Sequence, residues 1–253
     1  MQERVAVITG GSSGMGLTVT ESLAAQGWHI VVLDRSVSET ELGPNISPKA
    51  VDVTNYNQLA EAFLQTWKAH NRLDFGYVTV FANAGIAEKK PFYETQQPEE
   101  LLPHPLDMQP LAIDLEAVIN TAYLAMHFMR MNQDGKGGCI LINSSTAGLY
   151  STPNVPIYCA AKHGCLGLMR ALAPQLMGEK IRVNSIHPSV IHTGLMSNKG
   201  WSSFPEDLFT PMSKLVAVVN MLIKDEGMFA QSIEVIMDQH FFRKGNEYSN
   251  ADV

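Results

Sequence analysis

Val5-Ala-Val-Ile-Thr9-Gly-Gly-Ser-Ser-Gly-Met-Gly16 decides how this chain is read. The apolar, mostly β-branched run predicts a buried strand ending in a glycine cluster. Leu17, Leu23 and Ala24 then mark the apolar face of a helix. Gly10, Gly14 and Gly16 stand in the spacing G-x-x-x-G-x-G. Glycines at a strand-to-helix turn allow a tight bend, a backbone close enough to touch a pyrophosphate, and close packing of helix on strand. The helix N-terminus adds free N–H groups and a partial positive charge. The plainer alternative is a glycine-rich turn that binds nothing; the strand–turn–helix context favours a dinucleotide.

Working outward, Trp28-His-Ile-Val-Val-Leu-Asp34 predicts a second strand ending in an acid. An acid about 20 residues past such glycines accepts hydrogen bonds from the adenosine ribose hydroxyls. Asp34 would also repel the 2′-phosphate of NADP, which favours NAD. Arg35 argues the other way, because its guanidinium could bind that phosphate. No basic residue stands in the glycine loop itself, where Ser12 and Ser13 lie.

The chain of 253 residues suits one α/β domain with an ample core. Its net charge of −7 and lack of a basic cluster argue against nucleic-acid and anionic-membrane partners. No apolar run is long enough to span a bilayer. The first strand leaves no room for a signal peptide. The 3 cysteines, Cys139, Cys159 and Cys165, lack ligand spacing and suggest a reducing compartment, without disulfides or metal. A cytoplasmic location is expected.

Further strands are expected at Lys49–Val53, Tyr77–Phe81, Gly137–Asn143, Ile181–Ile186 and Ser232–Met237. Helices are expected from a Thr54 cap to His70, over 111–131, over 155–177, and from Thr210-Pro211 to Lys224. Residues 193–210 read as a mobile segment and the tail from Gln239 as polar and loose. The alternation predicts a Rossmann-like, doubly wound parallel sheet of about seven strands with helices on both faces. That single domain spans 1–238, with a lid at about 190–212 and a tail at 239–253. Asp34, Asp52, Asn83 and Ser145 then fall at strand carboxyl ends, which line one crevice in such sheets.

Tyr158-Cys-Ala-Ala-Lys162 carries the chemistry. Residues i and i+4 share a helix face, so a phenol and an ammonium point into the same space. A nearby cation favours the phenolate, lowering a pKa of about 10 by roughly 1–3 units. That brings the tyrosine within reach of acid–base work on an alcohol or carbonyl. A surface Tyr–Lys pair on an amphipathic helix would show the same spacing.

Over nearly its full length the chain resembles the short-chain dehydrogenase/reductase family. The resemblance rests on Thr9-Gly10 to Gly16, Asp52, Asn83-Ala84-Gly85, Ser145, Tyr158, Lys162, and Pro188 with Thr193. It implies that Tyr158 exchanges the proton, that Lys162 holds the nicotinamide ribose and lowers the Tyr158 pKa, and that Ser145 rather than Ser144 hydrogen-bonds the reacting oxygen. It places the cofactor on Gly10, Ser12, Ser13, Gly14, Met15 and Gly16. Asp34 and Arg35 would lie at its ribose, Asp52 and Val53 at the adenine, and Asn83, Ala84 and Gly85 along it. Pro188, Val190, Ile191 and Thr193 would flank the carboxamide.

Three positions depart from the family pattern. Asp114, in Ile113-Asp-Leu-Glu-Ala117, replaces an asparagine that supports a water linked to the lysine. Either the main-chain contact survives unchanged, or the carboxylate alters the charge around Lys162; Asp114 therefore joins the candidate catalytic residues. Ser189 replaces a glycine, and Asp238-Gln-His240 a frequent Gly-Gly pair.

His187 and His192 could touch substrate, and Cys159 reads as packing. Leu195, Met196, Trp201, Phe204, Leu208 and Phe209 make an apolar cover, which suits a bulky hydrophobic substrate such as a terpenoid, steroid-like or polyketide alcohol of secondary metabolism. The expected activity is an NAD-dependent secondary-alcohol dehydrogenase, or the matching ketone reduction in reverse. The rivals are an NADPH-dependent ketone reductase and a dinucleotide-binding protein or catalyst without redox work. A homodimer or homotetramer through 111–131 and 155–177 is expected, since both helices read as apolar on more than one face.

Overall fold

The computed structural model describes residues 4–37, 43–78, 92–93, 104–132, 137–194, 201–202 and 204–245. The strands are β1 (Arg4–Thr9), β2 (Trp28–Asp34), β3 (Ile46–Ala50), β4 (Phe75–Val78), β5 (Gly138–Asn143), β6 (Ile181–Pro188), β7 (Ser232–Ile236) and β8 (Gln239–Phe242). They form one sheet in the order β3-β2-β1-β4-β5-β6-β7-β8. All neighbours are parallel except β7 and β8, which pair antiparallel from Ile236↔Gln239 to Ile233↔Phe242. The chain turns outward from β1 in both directions, so the crevice expected at a switch point lies between the carboxyl ends of β1 and β4.

The long helices are α1 (Gly14–Ala24), α2 (Tyr56–His70), α3 (Ala117–Arg130), α4 (Pro156–Leu176) and α5 (Met212–Lys224). Strand alternation divides the core in two. Val7, Val31, Leu33, Ile140 and Ile142 point to the face covered by α2, α3 and α4. Ala6, Ile8, Ile30, Val32 and Leu141 point to the face covered by α1 and α5. Strands buried on both faces explain why these stretches read as continuous apolar runs.

Several boundaries depart from the expectations, each for a local reason. β8 occupies part of the tail expected to be loose, held by the β7 ladder and by the Arg243 amide donating to the Ser232 carbonyl at 2.7 Å. β3 runs over 46–50 rather than 49–53 and contains Pro48. It is the edge strand of the sheet, where a missing N–H costs no ladder bond. Asn55, not Thr54, caps α2: its side chain accepts from the amides of Asn57 and Gln58 at 3.1 and 3.2 Å. Thr54 is already committed, its hydroxyl and amide donating to Asp52 Oδ1 at 2.7 and 3.0 Å. Pro211 is the N-cap of α5, while the Thr210 hydroxyl accepts from the Met237 amide at 2.8 Å.

β4 ends at Val78, and the remainder of its expected span lies outside the described residues, as do Leu195 and Met196. Among the described residues, no helix is long and apolar enough to cross a membrane, and no three His, Cys, Asp or Glu side chains gather as a metal site.

Candidate active site

The glycine loop is built by close approach. A Cβ on Gly16 would lie 2.2 Å from the Gly10 carbonyl oxygen, a distance that forbids any side chain. Gly10 and Gly14 hold φ of 64° and 54°, in the left-handed region that favours glycine. Ser13 precedes α1, but its side chain makes no capping hydrogen bond, and the first turn of α1 holds no acidic residue. The positive helix end therefore keeps amides free for an anion. Ser12 Oγ is buried with no hydrogen-bond partner among the described residues. Met15 is buried beneath the loop in the α1-side core.

Asp34, at the end of β2, accepts from the Ser12 amide at 3.2 Å and from the Ser36 amide at 3.3 Å. It is thus tied to the loop it was expected to serve. Arg35 is exposed beside it and faces Asp52. The Thr54 hydroxyl and amide, then Arg35, hold the Asp52 carboxyl below the usual carboxylate range. Val53 follows at the packed edge of the core. Asn83, Ala84 and Gly85 lie outside the described residues.

On the other side, Pro188 ends β6, and the Val190 carbonyl accepts from the Thr210 amide at 2.7 Å. Ile191 and Thr193 are buried, and a Cβ on Gly14 would stand 3.5 Å from Thr193. That contact joins the segment after β6 to the glycine loop. The Thr193 carbonyl also accepts from Trp201 Nε1 at 2.8 Å, and Trp201 packs with His192, Phe204 and Phe209 at ring separations of 5.5, 6.2 and 6.0 Å. Ile191, His192, Phe209, Thr210, Pro211 and Met212 line a cavity of about 500 Å³ there, with Glu206 at its margin.

Tyr158 and Lys162 lie on α4 at the predicted i, i+4 spacing, with Lys162 Nζ 5.4 Å from the Tyr158 ring centroid. Ser145 faces the Tyr158 phenol from the loop after β5, close enough to favour its charged form, and its Oγ accepts from the Ala147 amide at 3.1 Å. Ser144 is spent elsewhere, donating to the Lys162 carbonyl at 2.9 Å. Asp114 enters from a π-helical turn, Ala112–Glu116, in which the Ala117 amide bonds the Ala112 carbonyl. Such turns re-aim side chains and often occur at functional sites. Asp114 is 1% exposed and Lys162 3%. Their Oδ1 and Nζ are 3.1 Å apart.

The electrostatics correct one expectation. Burial pushes the Tyr158 phenol above its ordinary value; Lys162 pulls it down, but Asp114 opposes that pull. Burial works most strongly against charge on Lys162, but Asp114 together with Tyr158 and Cys165 more than offsets it and raises the ammonium. Asp114 itself is pushed up by burial, with Lys162 partly offsetting this.

His187 is not a substrate contact. It is fully buried, its Nδ1 donating to the Ser145 carbonyl at 3.2 Å. Its Nε2 accepts from the hydroxyls of Ser185 and Ser232 at 2.9 and 3.0 Å. Burial lowers it to about 4, so the ring is neutral at ordinary pH. Gly148 was also missed: a Cβ there would meet Ser144 Oγ at 2.4 Å and the Lys162 carbonyl at 2.5 Å. Neither residue has a local sequence signal, since both act through partners distant in the chain.

The short chain dehydrogenase family model matches residues 4–202. The short-chain dehydrogenase/reductase prx7 of Penicillium rubens is 36% identical over 83% of this chain and 76% of its own length. The (-)-trans-carveol dehydrogenase of Rhodococcus erythropolis is 31% identical over 83% and 79%. Human (Homo sapiens) 15-hydroxyprostaglandin dehydrogenase (NAD(+)) is 30% identical over 77% and 71%. Among solved structures, levodione reductase superposes with a TM-score of 0.75 at 26% identity, covering 92% of this chain and 96% of that one. With this fold, the glycine loop and the Tyr158–Lys162 pair in place, the chain belongs to the short-chain dehydrogenase family.

Proposed function

We propose that the protein is an NAD-dependent oxidoreductase that interconverts a bulky hydrophobic secondary alcohol and its ketone. The observation that supports this most is the convergence of Ser145, Tyr158 and Lys162 at the carboxyl-end side of the sheet that also carries the glycine loop, which Thr193 contacts. The unused amides of α1 and the unpartnered Ser12 hydroxyl suit a pyrophosphate. The Asp34 bond to the Ser12 amide supports a role for this carboxylate at the ribose hydroxyls. When bound, the nicotinamide would supply or accept the hydride.

The chain's own residues do the rest. Tyr158 passes its proton to the carbonyl oxygen, or takes one from the alcohol. Ser145 steadies that oxygen by hydrogen bonding, and Lys162 holds the nicotinamide ribose. Pro188, Val190 and Ile191 would flank the carboxamide. The aromatic wall of Trp201, Phe204 and Phe209 excludes water and offers apolar surface. Two relatives are named as dehydrogenases of carveol and of 15-hydroxyprostaglandin, and the second name specifies NAD(+).

Exposed Ile119 and Tyr123 on α3, with small Ala160, Gly167 and Ala171 on the open side of α4, support self-association through these helices. Arg35 supports the second reading, an NADPH-dependent reductase. The test is turnover of a panel of hydrophobic secondary alcohols and ketones, followed by nicotinamide absorbance with each dinucleotide. Turnover that vanishes in Tyr158→Phe supports the proposal. Failure to bind either dinucleotide would sink it in favour of a non-redox protein.

A further inference from the structure

We infer that Asp114 is a charge-compensating residue: by pairing with Lys162 it keeps Tyr158 in its proton-donating form at neutral pH. The site is thereby set for carbonyl reduction and exchanges to alcohol oxidation only in alkaline solution. The inference deepens the reading above and rests on Tyr158 as the acid–base group.

The geometry leaves Asp114 little else to do. Its carboxylate is 1% exposed, and its Oδ1 lies 3.1 Å from Lys162 Nζ. Neither oxygen accepts a well-aligned hydrogen bond from any described residue. The Asp114 main-chain carbonyl is taken by the Cys165 thiol at 3.0 Å, so the residue meets Lys162 through its side chain. A π-helical turn, rather than a regular one, delivers it there.

A carboxylate paired with the ammonium offsets part of its field at a third group nearby. An isolated ammonium would instead draw Tyr158 toward the phenolate. Among the described residues, the other ionisable groups facing this cluster are neutral at ordinary pH. Cys165 from α4 is pushed up to about 11 by burial, and His187 of β6 is lowered to about 4. Burial is the main reason the Tyr158 phenol lies above its ordinary range, and Asp114 adds to it by offsetting part of the Lys162 pull.

The direction follows from which form of Tyr158 is present. In reduction, the substrate carbon accepts a hydride from the bound dihydronicotinamide, and the carbonyl π pair moves to oxygen. That oxygen takes the Tyr158 proton, the ketone is reduced, and the dinucleotide leaves oxidised. The phenolate regains its proton from solvent. Oxidation needs the phenolate from the start, and at neutral pH the Asp114–Lys162 pair withholds it.

The test is a tyrosinate ultraviolet titration of the intact protein, without substrate or dinucleotide. The Tyr158→Phe protein serves as blank, so that the difference isolates Tyr158. The wild type is expected to ionise above pH 10, the ordinary tyrosine value. Asp114→Asn, nearly the same in size, is expected to ionise about 1–2 pH units lower. The alkaline limb of the pH–rate profile should move with it, extending oxidation toward neutral pH.

A wild-type phenol that ionises below the ordinary value overturns the inference, as does an unmoved titration in Asp114→Asn. Asp114→Ser repeats the comparison if the asparagine variant does not fold. Because this titration needs no turnover, its failure is separable from failure of the oxidoreductase reading, which dinucleotide binding and the substrate panel decide.

Discussion

The two sides of the crevice are made of different material. On the β1–β2 side the site is backbone: glycines brought so close that Gly16 cannot carry a Cβ, and helix amides left uncapped. On the β5–β6 side it is side chains: Tyr158 and Lys162 on one helix, Ser145 on a loop, Asp114 on a π-helical turn. A backbone site is broken by adding atoms. A side-chain site is broken by exchanging functional groups of the same size. The first should respond to mutation through binding and stability, the second through rate and pH.

The largest effect expected is on the side-chain half. Tyr158→Phe removes one oxygen and should lower kcat by about 10²–10⁴-fold while dinucleotide binding stays near that of the wild type. A large loss of dinucleotide affinity would show that Tyr158 belongs to the binding half as well.

Next comes acid stability, read through His187. Unfolded, this ring takes a proton near 6.5; folded, only near 4. Between those values the unfolded chain holds the extra proton, so stability is fully present above about 6.5 and falls as pH drops toward about 4. The loss is up to about 3 kcal/mol from a shift of this size. Urea unfolding across that range should show a steeper acid decline in the wild type than in His187→Gln. Equal slopes would remove His187 from the account.

Gly16→Ala strikes the backbone half. The new methyl group would press on the Gly10 carbonyl at 2.2 Å, and overpacking of this kind costs about 1–3 kcal/mol. Calorimetry should register weakened dinucleotide binding together with a lowered Tm. Unchanged affinity would mean that the turn is structural only.

The smallest effect should come from Arg243→Ala. This arginine and the Tyr150 hydroxyl both bond the 3%-exposed Glu234 carboxylate, tying β8 to the loop after Ser145. Arg243 is itself 40% exposed, which discounts the cost of removing it to about 1–2 kcal/mol. Chemical denaturation measures it, and a cost near zero would detach β8 from the stability of the active-site side.

What the sequence made legible follows the same division. The glycine spacing and the Tyr–Lys spacing are local patterns, each confined to one turn or one helix face, and both could be read without coordinates. The mostly parallel sheet with helices on both faces followed from the alternation of strands and helices. Long-range partners could not be read. His187 was visible as a histidine, but nothing local says that its ring bonds Ser145, Ser185 and Ser232. β8 exists because β7 offers it a ladder, although its own sequence is polar at Gln239 and His240. The part of β3 before Lys49 was not read as strand, because the edge position that admits Pro48 is a property of the whole fold. Asp114 stood out as a departure from the family pattern, but only its 3.1 Å approach to Lys162 says what that departure does.

The most direct test of the central claim is a pair of calorimetric titrations of the purified protein, one with NADH and one with NADPH. Tight NADH binding with weaker NADPH binding is the predicted result, because on the proposed reading the Asp34 carboxylate would repel a ribose 2′-phosphate. The reverse preference would give the site to Arg35, and binding of neither would contradict the oxidoreductase account.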